Sequence, residues 1–328
     1  MLSFMTNRKL ESMQNNPDFT QKQRLNNNLY SGRITSYFIE VTNGTPESSG
    51  SHPSGMSALH IQNVLSAIEH FQLLHEVMDE QTVRYLCMLE EQNRLDSFRS
   101  AQDDVIIVTP KGRSIRSKTL GQHIYIDLQR HNELVLCAGP AGTGKTFLGV
   151  AMAVSAFRNR EVSRIILARP AVEAGERLGF LPGDVQEKVD PYMRPIYDAL
   201  HELLGEDSFR KYADKGLIEV SPLAFMRGRT LDDAFILLDE AQNATVEQMK
   251  MFLTRIGMNA RACVCGDITQ IDLPKGMKSG LVDAVSVLDG VAGIGIVSLS
   301  DADIVRNPLV QRIIRAYNSI KERRTLET

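Results

Sequence analysis

Leu134-Val135-Leu136-Cys137-Ala138-Gly139-Pro140-Ala141-Gly142-Thr143-Gly144-Lys145-Thr146 decides the fold of this chain. An apolar run ends in a Gly-rich turn, and Lys-Thr opens a stretch with helical patterning. The turn has the form G-x-x-x-x-G-K-[ST], in the strand–loop–helix setting that a phosphate-binding loop requires. Gly139, Gly142 and Gly144 let the backbone wrap an anion where a Cβ would obstruct it or forbid positive φ. The backbone of the loop, Gly139, Pro140, Ala141, Gly142, Thr143 and Gly144, and the positive end of the next helix then face a phosphate. Lys145 is placed to neutralise the β- and γ-phosphates and Thr146 to ligate Mg²⁺.

Outward from the loop, apolar runs alternate with helical patterns. Ile165–Ala168, Leu217–Val220, Ala234–Leu238, Arg261–Cys265 and Gly295–Leu299 read as strands, most of them of the fully buried type. Alternation of this kind implies a parallel sheet with helices on both faces, an α/β fold. Leu238-Asp239-Glu240 delivers two acids at a strand's carboxyl end, where open α/β sheets bind ligands. Asp239 is expected in the Mg²⁺ shell and Glu240 beside the attacking water. The long Lys145–Asp239 separation leaves room for intervening strands, as in a RecA-like sheet. Gly266-Asp267-Ile268-Thr269-Gln270 closes another strand, and Gln270 is a candidate to contact the γ-phosphate or the water. Arg306, before the last helix (Pro308 to about Lys321), reads either as an arginine finger, in cis or from a neighbouring subunit, or as a surface arginine. Arg169, Arg227 and Arg229 lie on loops and are candidates for phosphate or RNA backbone contacts, with plain solvation as the alternative. The basic segment Thr109–Lys118 has the same two readings.

With 328 residues the chain suits two domains, or one large domain with an appendage. Residues 1–100 read as an accessory domain. Arg33–Val41 is a candidate strand, 43–57 a flexible Ser/Gly-rich segment, and a helix from Ala58 places Ile61, Val64, Leu65, Ile68, Phe71 and Met78 near one face. A second helix is expected from about Gln81 to Leu95. Residues 101–328 form the nucleotide-binding domain. A hydrophobic content of 43% supports a real core, and a net charge of −3 gives no global positive field for nucleic acid. Cys87, Cys137, Cys263 and Cys265 sit in apolar runs without a zinc spacing, as buried reduced thiols of a cytosolic protein. Neither a signal-type apolar core at the N-terminus nor an 18-residue apolar run is present, so a cytoplasmic protein outside the membrane is expected.

Several ordered motifs carry a family resemblance: Thr119-Leu120-Gly121-Gln122, the Gly139–Thr146 loop, Arg169-Pro170, Gly175–Gly183, Phe225–Thr230, Leu238–Asn243, Gly266–Gln270, and Arg306 with Pro308-Leu309-Val310. The chain resembles PhoH-family P-loop ATPases, relatives of the superfamily 1 helicase core, over about residues 105–320. The resemblance implies an ATP- and Mg²⁺-binding cytoplasmic protein of bacterial type, linked to RNA metabolism and phosphate-starvation regulons. It implies adenine recognition by Gln122, γ-phosphate sensing by Gln270, and Arg306 acting across a homo-oligomer interface. Two functions follow. The chain is an ATPase acting on RNA, helicase activity included, or a nucleotide-gated adaptor that recruits a ribonuclease or other partner. One P-loop, with about 190 residues after Gly139, leaves no room for two cores, so motor action requires a subunit interface. A small-molecule kinase fits the Asp239-Glu240 pair less well than water attack does. The chain also lacks an N-K-x-D guanine-reading motif.

Overall fold

The computed structural model describes residues 22–24, 38–40, 58–73, 80–170, 185–305, 309–310 and 313. The 43–57 segment, the Gly175–Gly183 motif, Arg306 and most of the expected last helix lie outside the described residues. The chain divides into two compact units, Met1–Leu95 and Asp96–Thr328.

In the first unit β1 (Lys22–Arg24) pairs antiparallel with β2 (Phe38–Glu40). Helices α1 (Ala58–Leu73) and α2 (Glu80–Glu91) follow. Ile61, Val64, Ile68 and Phe71 of α1 are buried, as are Val83, Leu86, Cys87 and Leu89 of α2. The three- and four-residue spacing of these positions makes one apolar stripe on each helix. Asn63 Nδ2 donates to Glu90 Oε1 at 2.8 Å, joining the helices at the edge of that contact.

The second unit opens with α3 (Leu95–Gln102), which starts at its boundary, and a small hairpin of β3 (Ile107–Val108) and β4 (Ser114–Ile115). The basic segment Thr109–Lys118 therefore supplies the tight turn and second strand of this hairpin. Thr109 N–H donates to the Arg113 carbonyl at 2.9 Å, and Gly112 takes the left-handed φ of 78° that closes it. Strands of two residues are too short to leave a period in the sequence. α4 (Leu120–His131) is capped by Thr119, whose Oγ1 accepts from Gln122 N–H at 3.1 Å.

The body is a six-stranded, all-parallel sheet. Its strands are β5 (Leu134–Ala138), β6 (Arg164–Arg169), β7 (Ile218–Pro222), β8 (Ala234–Leu238), β9 (Arg261–Gly266) and β10 (Ile294–Ser298), in the spatial order β10-β5-β9-β8-β6-β7. The P-loop strand β5 and the acid-bearing β8 are separated by β6 and β7 in sequence and by β9 in space. This is the RecA-like arrangement.

Side-chain alternation builds two cores from the same strands. Val135, Cys137, Ile165, Leu167, Phe235, Leu237, Cys263 and Cys265 face one way. They pack on Tyr125 of α4, on α5 (Lys145–Arg158) and on α6 (Val185–Leu204). Leu134, Leu136, Ile166, Ile236, Leu238, Ala262 and Val264 face the other way, onto Met249 and Phe252 of α8 (Val246–Leu253) and Leu281 of α9 (Gly280–Val287). A helix α7 (Glu206–Asp214) follows α6 directly. Burial on both faces explains why the central strands read as continuous apolar runs. No helix among the described residues is long and apolar enough to cross a membrane.

Candidate nucleotide-binding site

The loop after β5 takes its shape from its glycines and from three neighbours. Gly142 and Gly144 have φ of 89° and 79°. Gly139 answers a different demand, since a Cβ there would lie 2.7 Å from Leu299 Cβ. Ala141 N–H donates to Asp267 Oδ2 at 2.9 Å, the Gly142 carbonyl accepts from Val305 N–H at 3.0 Å, and the Thr143 carbonyl accepts from Gln122 Nε2 at 3.0 Å. Three successive loop residues are thus pinned by three different segments. Lys145, buried at the start of α5, points its ammonium into the loop: Nζ lies 2.6 Å from the Gly139 carbonyl and 2.8 Å from that of Pro140.

Gln122 occupies a place that its motif did not foretell. It is buried, its Oε1 accepts from Lys118 N–H at 2.7 Å, and its Nε2 serves Thr143. In this arrangement the amide acts as a strut behind the P-loop. Thr119, one turn earlier, donates to Asp303 Oδ1 at 2.7 Å, and Asp303 also accepts from Ser300. The strand-exit segment after β10 is thereby tied to the start of α4.

Opposite Lys145 stand the acids after β8. Thr146 Oγ1 donates to Asp239 Oδ1 at 2.7 Å, and Cys265 Sγ approaches the same oxygen at 3.3 Å. Asp239 is buried, and burial pushes its carboxyl above the usual carboxylate range against the opposing pull of the Arg169 charge and the Thr146 hydroxyl. Its Oδ2 lies 3.3 Å from Arg169 Nη2, an ion pair whose geometry is not a hydrogen bond, so that buried oxygen stays without a hydrogen-bond partner. A hydroxyl and a carboxylate with one unsatisfied buried oxygen at the mouth of a P-loop fit a Mg²⁺ ion completed by phosphate and water, which needs few protein ligands. No cluster of three or more His, Cys, Asp or Glu side chains that could hold a metal occurs among the described residues.

Glu240 is half-buried and sits at φ 52°. Its Oε1 accepts from Arg169 at 2.8 Å and its Oε2 from Gln242 Nε2 at 2.6 Å. Gln242, buried, also accepts from Asp267 N–H at 3.0 Å and donates to the Gln270 carbonyl at 3.2 Å, joining the exits of β8 and β9. Gln270 Nε2 donates to Asp267 Oδ2 at 2.8 Å. Burial pushes the Asp267 carboxyl upward, but bonds from Thr269 and Ala141 and the charge of Lys145 outweigh it, so the group is held below its ordinary value. Lys145, Thr146, Asp239, Glu240 and Gln270 line one cavity of about 440 Å³, with α6 on its far side.

Gly266 makes the crowding possible. A Cβ there would lie 2.4 Å from Gln242 Oε1, 2.8 Å from Leu281 Cδ2 and 3.0 Å from Gln242 N. Gly266→Ala is expected to destabilise the domain by about 1–3 kcal/mol, as overpacking does. A urea midpoint equal to that of the wild type speaks against this packing.

Of the loop arginines, Arg229 is committed to Glu219 through two bonds of 2.7 and 2.8 Å, which hold the Glu219 carboxyl below its usual value, and Arg227 is exposed. Arg113 of the hairpin pairs with Glu202 of α6. The four cysteines are free and buried. Burial pushes Cys263 up to about 12 and raises Cys137 and Cys265 as well, so these thiols stay protonated at neutral pH. Nothing in the local sequence around Arg169 signals its pairing with both acids. Only the adjacency of β6 and β8, a property of the sheet order, brings them together.

A RecA-like parallel sheet with a P-loop after one strand and an Asp-Glu pair after another, converging on one cavity, defines a P-loop nucleotide-binding protein. The PhoH-like protein family model matches residues 114–318. The chain belongs to that family. It is 54% identical over 241 residues to the PhoH-like protein of Bacillus subtilis, covering 74% of this chain and 76% of that one. It is 55% identical over 216 residues to the PhoH-like protein of Mycobacterium tuberculosis, covering 66% of this chain and only 61% of the relative's length. It is 41% identical over 247 residues to protein PhoH of Escherichia coli, covering 74% and 67%. The UvsW helicase of bacteriophage T4 is a solved structure matched at 12% identity and a TM-score of 0.33, over 64% of this chain and 67% of that one.

Proposed function

We infer that this chain is a Mg²⁺-dependent ATPase that works in RNA metabolism. The observation that carries the ATPase reading is the 2.7 Å contact between Thr146 and Asp239 at the end of the P-loop, with Glu240 one residue further on. Lys145 and the loop amides would hold the phosphates, and Thr146 with Asp239 would hold Mg²⁺. The ion would neutralise charge developing on the phosphoryl oxygens. Glu240 keeps acceptor capacity beyond its two donors, because a carboxylate offers about four lone-pair sites. It is therefore suited to orient a water and take its proton. Gln270, anchored on Asp267, stands at the same cavity and would report the γ-phosphate.

Adenine preference is assigned to Gln122 through the family resemblance. In the geometry described, that role requires the amide to leave Lys118 or Thr143, or to use its second N–H. RNA, a role in phosphate starvation, and completion of the site by Arg306 of a neighbouring copy rest on the same resemblance. So does a cytoplasmic location.

The test is ATP turnover with and without RNA, for the wild type and Glu240→Gln. Turnover is expected to fall by about 10²-fold or more with ATP binding retained, since positioned general bases contribute on that scale. Unchanged turnover sinks the assignment. RNA stimulation supports the motor; nucleotide-dependent partner binding without RNA stimulation favours the adaptor that recruits a ribonuclease.

A further inference from the structure

Arg169 ends β6, the strand hydrogen-bonded to β8. Its guanidinium therefore emerges beside the two carboxylates that follow β8. Nη2 lies 2.8 Å from Glu240 Oε1 and 3.3 Å from Asp239 Oδ2, while Nη1 donates to the backbone carbonyl of Tyr192 in α6. The side chain is 14% exposed, so these partners, not solvent, define its position. One cation spans both acids and ties them to the helix that walls the cavity.

Glu240 needs such a restraint. A non-glycine residue at φ 52° holds that backbone only where its surroundings impose it. A glutamate side chain also has three torsions to settle. The Arg169 bond to Oε1 and the Gln242 bond to Oε2 settle them from two sides. Guanidinium suits this task because its two terminal nitrogens are fixed in one plane, so Nη1 can hold the Tyr192 carbonyl while Nη2 donates to Glu240 and faces Asp239. A lysine ammonium offers the same charge from one point.

We propose that Arg169 is a positioning residue for ATP hydrolysis, setting the Glu240 carboxylate relative to Asp239 through the reach of its fork. This rests on Glu240 as the base. Contact of Arg169 with RNA or a phosphate is the competing role, and it would require breaking three engagements at once.

The experiment compares Arg169→Gln, Arg169→Lys and Glu240→Gln in the full chain. It measures saturated MgATP turnover, KM, equilibrium binding of a fluorescent ATP analogue, and thermal melting with MgATP present. Both arginine variants are expected to lower kcat by about 10²-fold, the scale of a small misplacement of a reacting group, with KM and analogue affinity within about 3-fold of the wild type. Arg169→Lys keeps the buried cation and carries the test if Arg169→Gln does not fold. Wild-type kcat in Arg169→Gln overturns the proposal. So does wild-type kcat in Arg169→Lys, which would mean that charge alone suffices. A parallel loss of analogue binding also overturns it, in favour of direct contact with nucleotide. If Glu240→Gln turns over normally, the base assignment fails and the proposal with it. If Glu240→Gln is inactive and Arg169→Gln is not, the positioning role alone fails.

Discussion

Lys145→Ala is expected to lose about 10³-fold in kcat/KM for ATP, with most of the loss visible as weakened binding, because a charge-assisted contact to phosphate is removed from both the ground and the transition state. Lys145 Nζ is 2.6 and 2.8 Å from two loop carbonyls and 3.4 Å from Thr143 Oγ1, inside a loop whose next donors are backbone N–H groups. All three ammonium donors are engaged by the loop, so a bound phosphate would take the place of at least one of these partners. Alanine is an excellent helix former, so α5 keeps its first turn. The loop also retains its ties to Asp267, Val305 and Gln122. Global stability should therefore change far less than binding. Titration with a fluorescent ATP analogue measures the first, and urea denaturation the second. Wild-type affinity in a folded Lys145→Ala protein refutes the site.

These elements differ in how much of them sequence alone discloses. The P-loop is legible because its chemistry needs glycine at two positive-φ positions and at one close approach, and few other demands produce that spacing. β8 and its acids are legible because a strand covered on both faces must be apolar throughout and then stop abruptly at charge. Strand order is a different matter. β6 lies beside β8 although 64 residues separate the end of one from the start of the other, a span whose described residues include α6, α7 and β7. The Arg169 bridge depends on that adjacency, so Arg169 read only as a loop arginine. Gln122 illustrates a second limit. Its motif marks the residue, but the choice between facing a ligand and facing the Thr143 carbonyl is made by packing around α4. The Thr109–Lys118 segment illustrates a third, because a hairpin of two-residue strands is specified by one turn and one pair of buried side chains, Ile107 and Ile115.

Asp239→Asn separates the needs of the site from those of the fold. Turnover is expected to fall by about 10³-fold, because the carboxylate that would hold Mg²⁺ becomes neutral and metal assistance is worth several kcal/mol. Stability of the nucleotide-free protein is expected to move the other way. Burial raises the Asp239 carboxyl above its ordinary 3.8, so the folded state binds the proton more tightly than the unfolded chain does. An acid raised in this way costs nothing below its ordinary value, costs more as pH climbs toward the folded value, and carries the full cost above it. Once ionised, the carboxylate is a buried charge that Arg169 offsets only in part. Asparagine keeps an oxygen for Thr146 and removes that charge. The nucleotide-free Asp239→Asn protein should melt no lower than the wild type at pH 7, with any advantage shrinking as pH falls toward 4. Adding MgATP should stabilise the wild type, by preferential binding to the folded state, and the variant much less. A variant that melts well below the wild type at pH 7 would mean that the Arg169 pair outweighs desolvation, whereas undiminished turnover would remove Asp239 from the metal site.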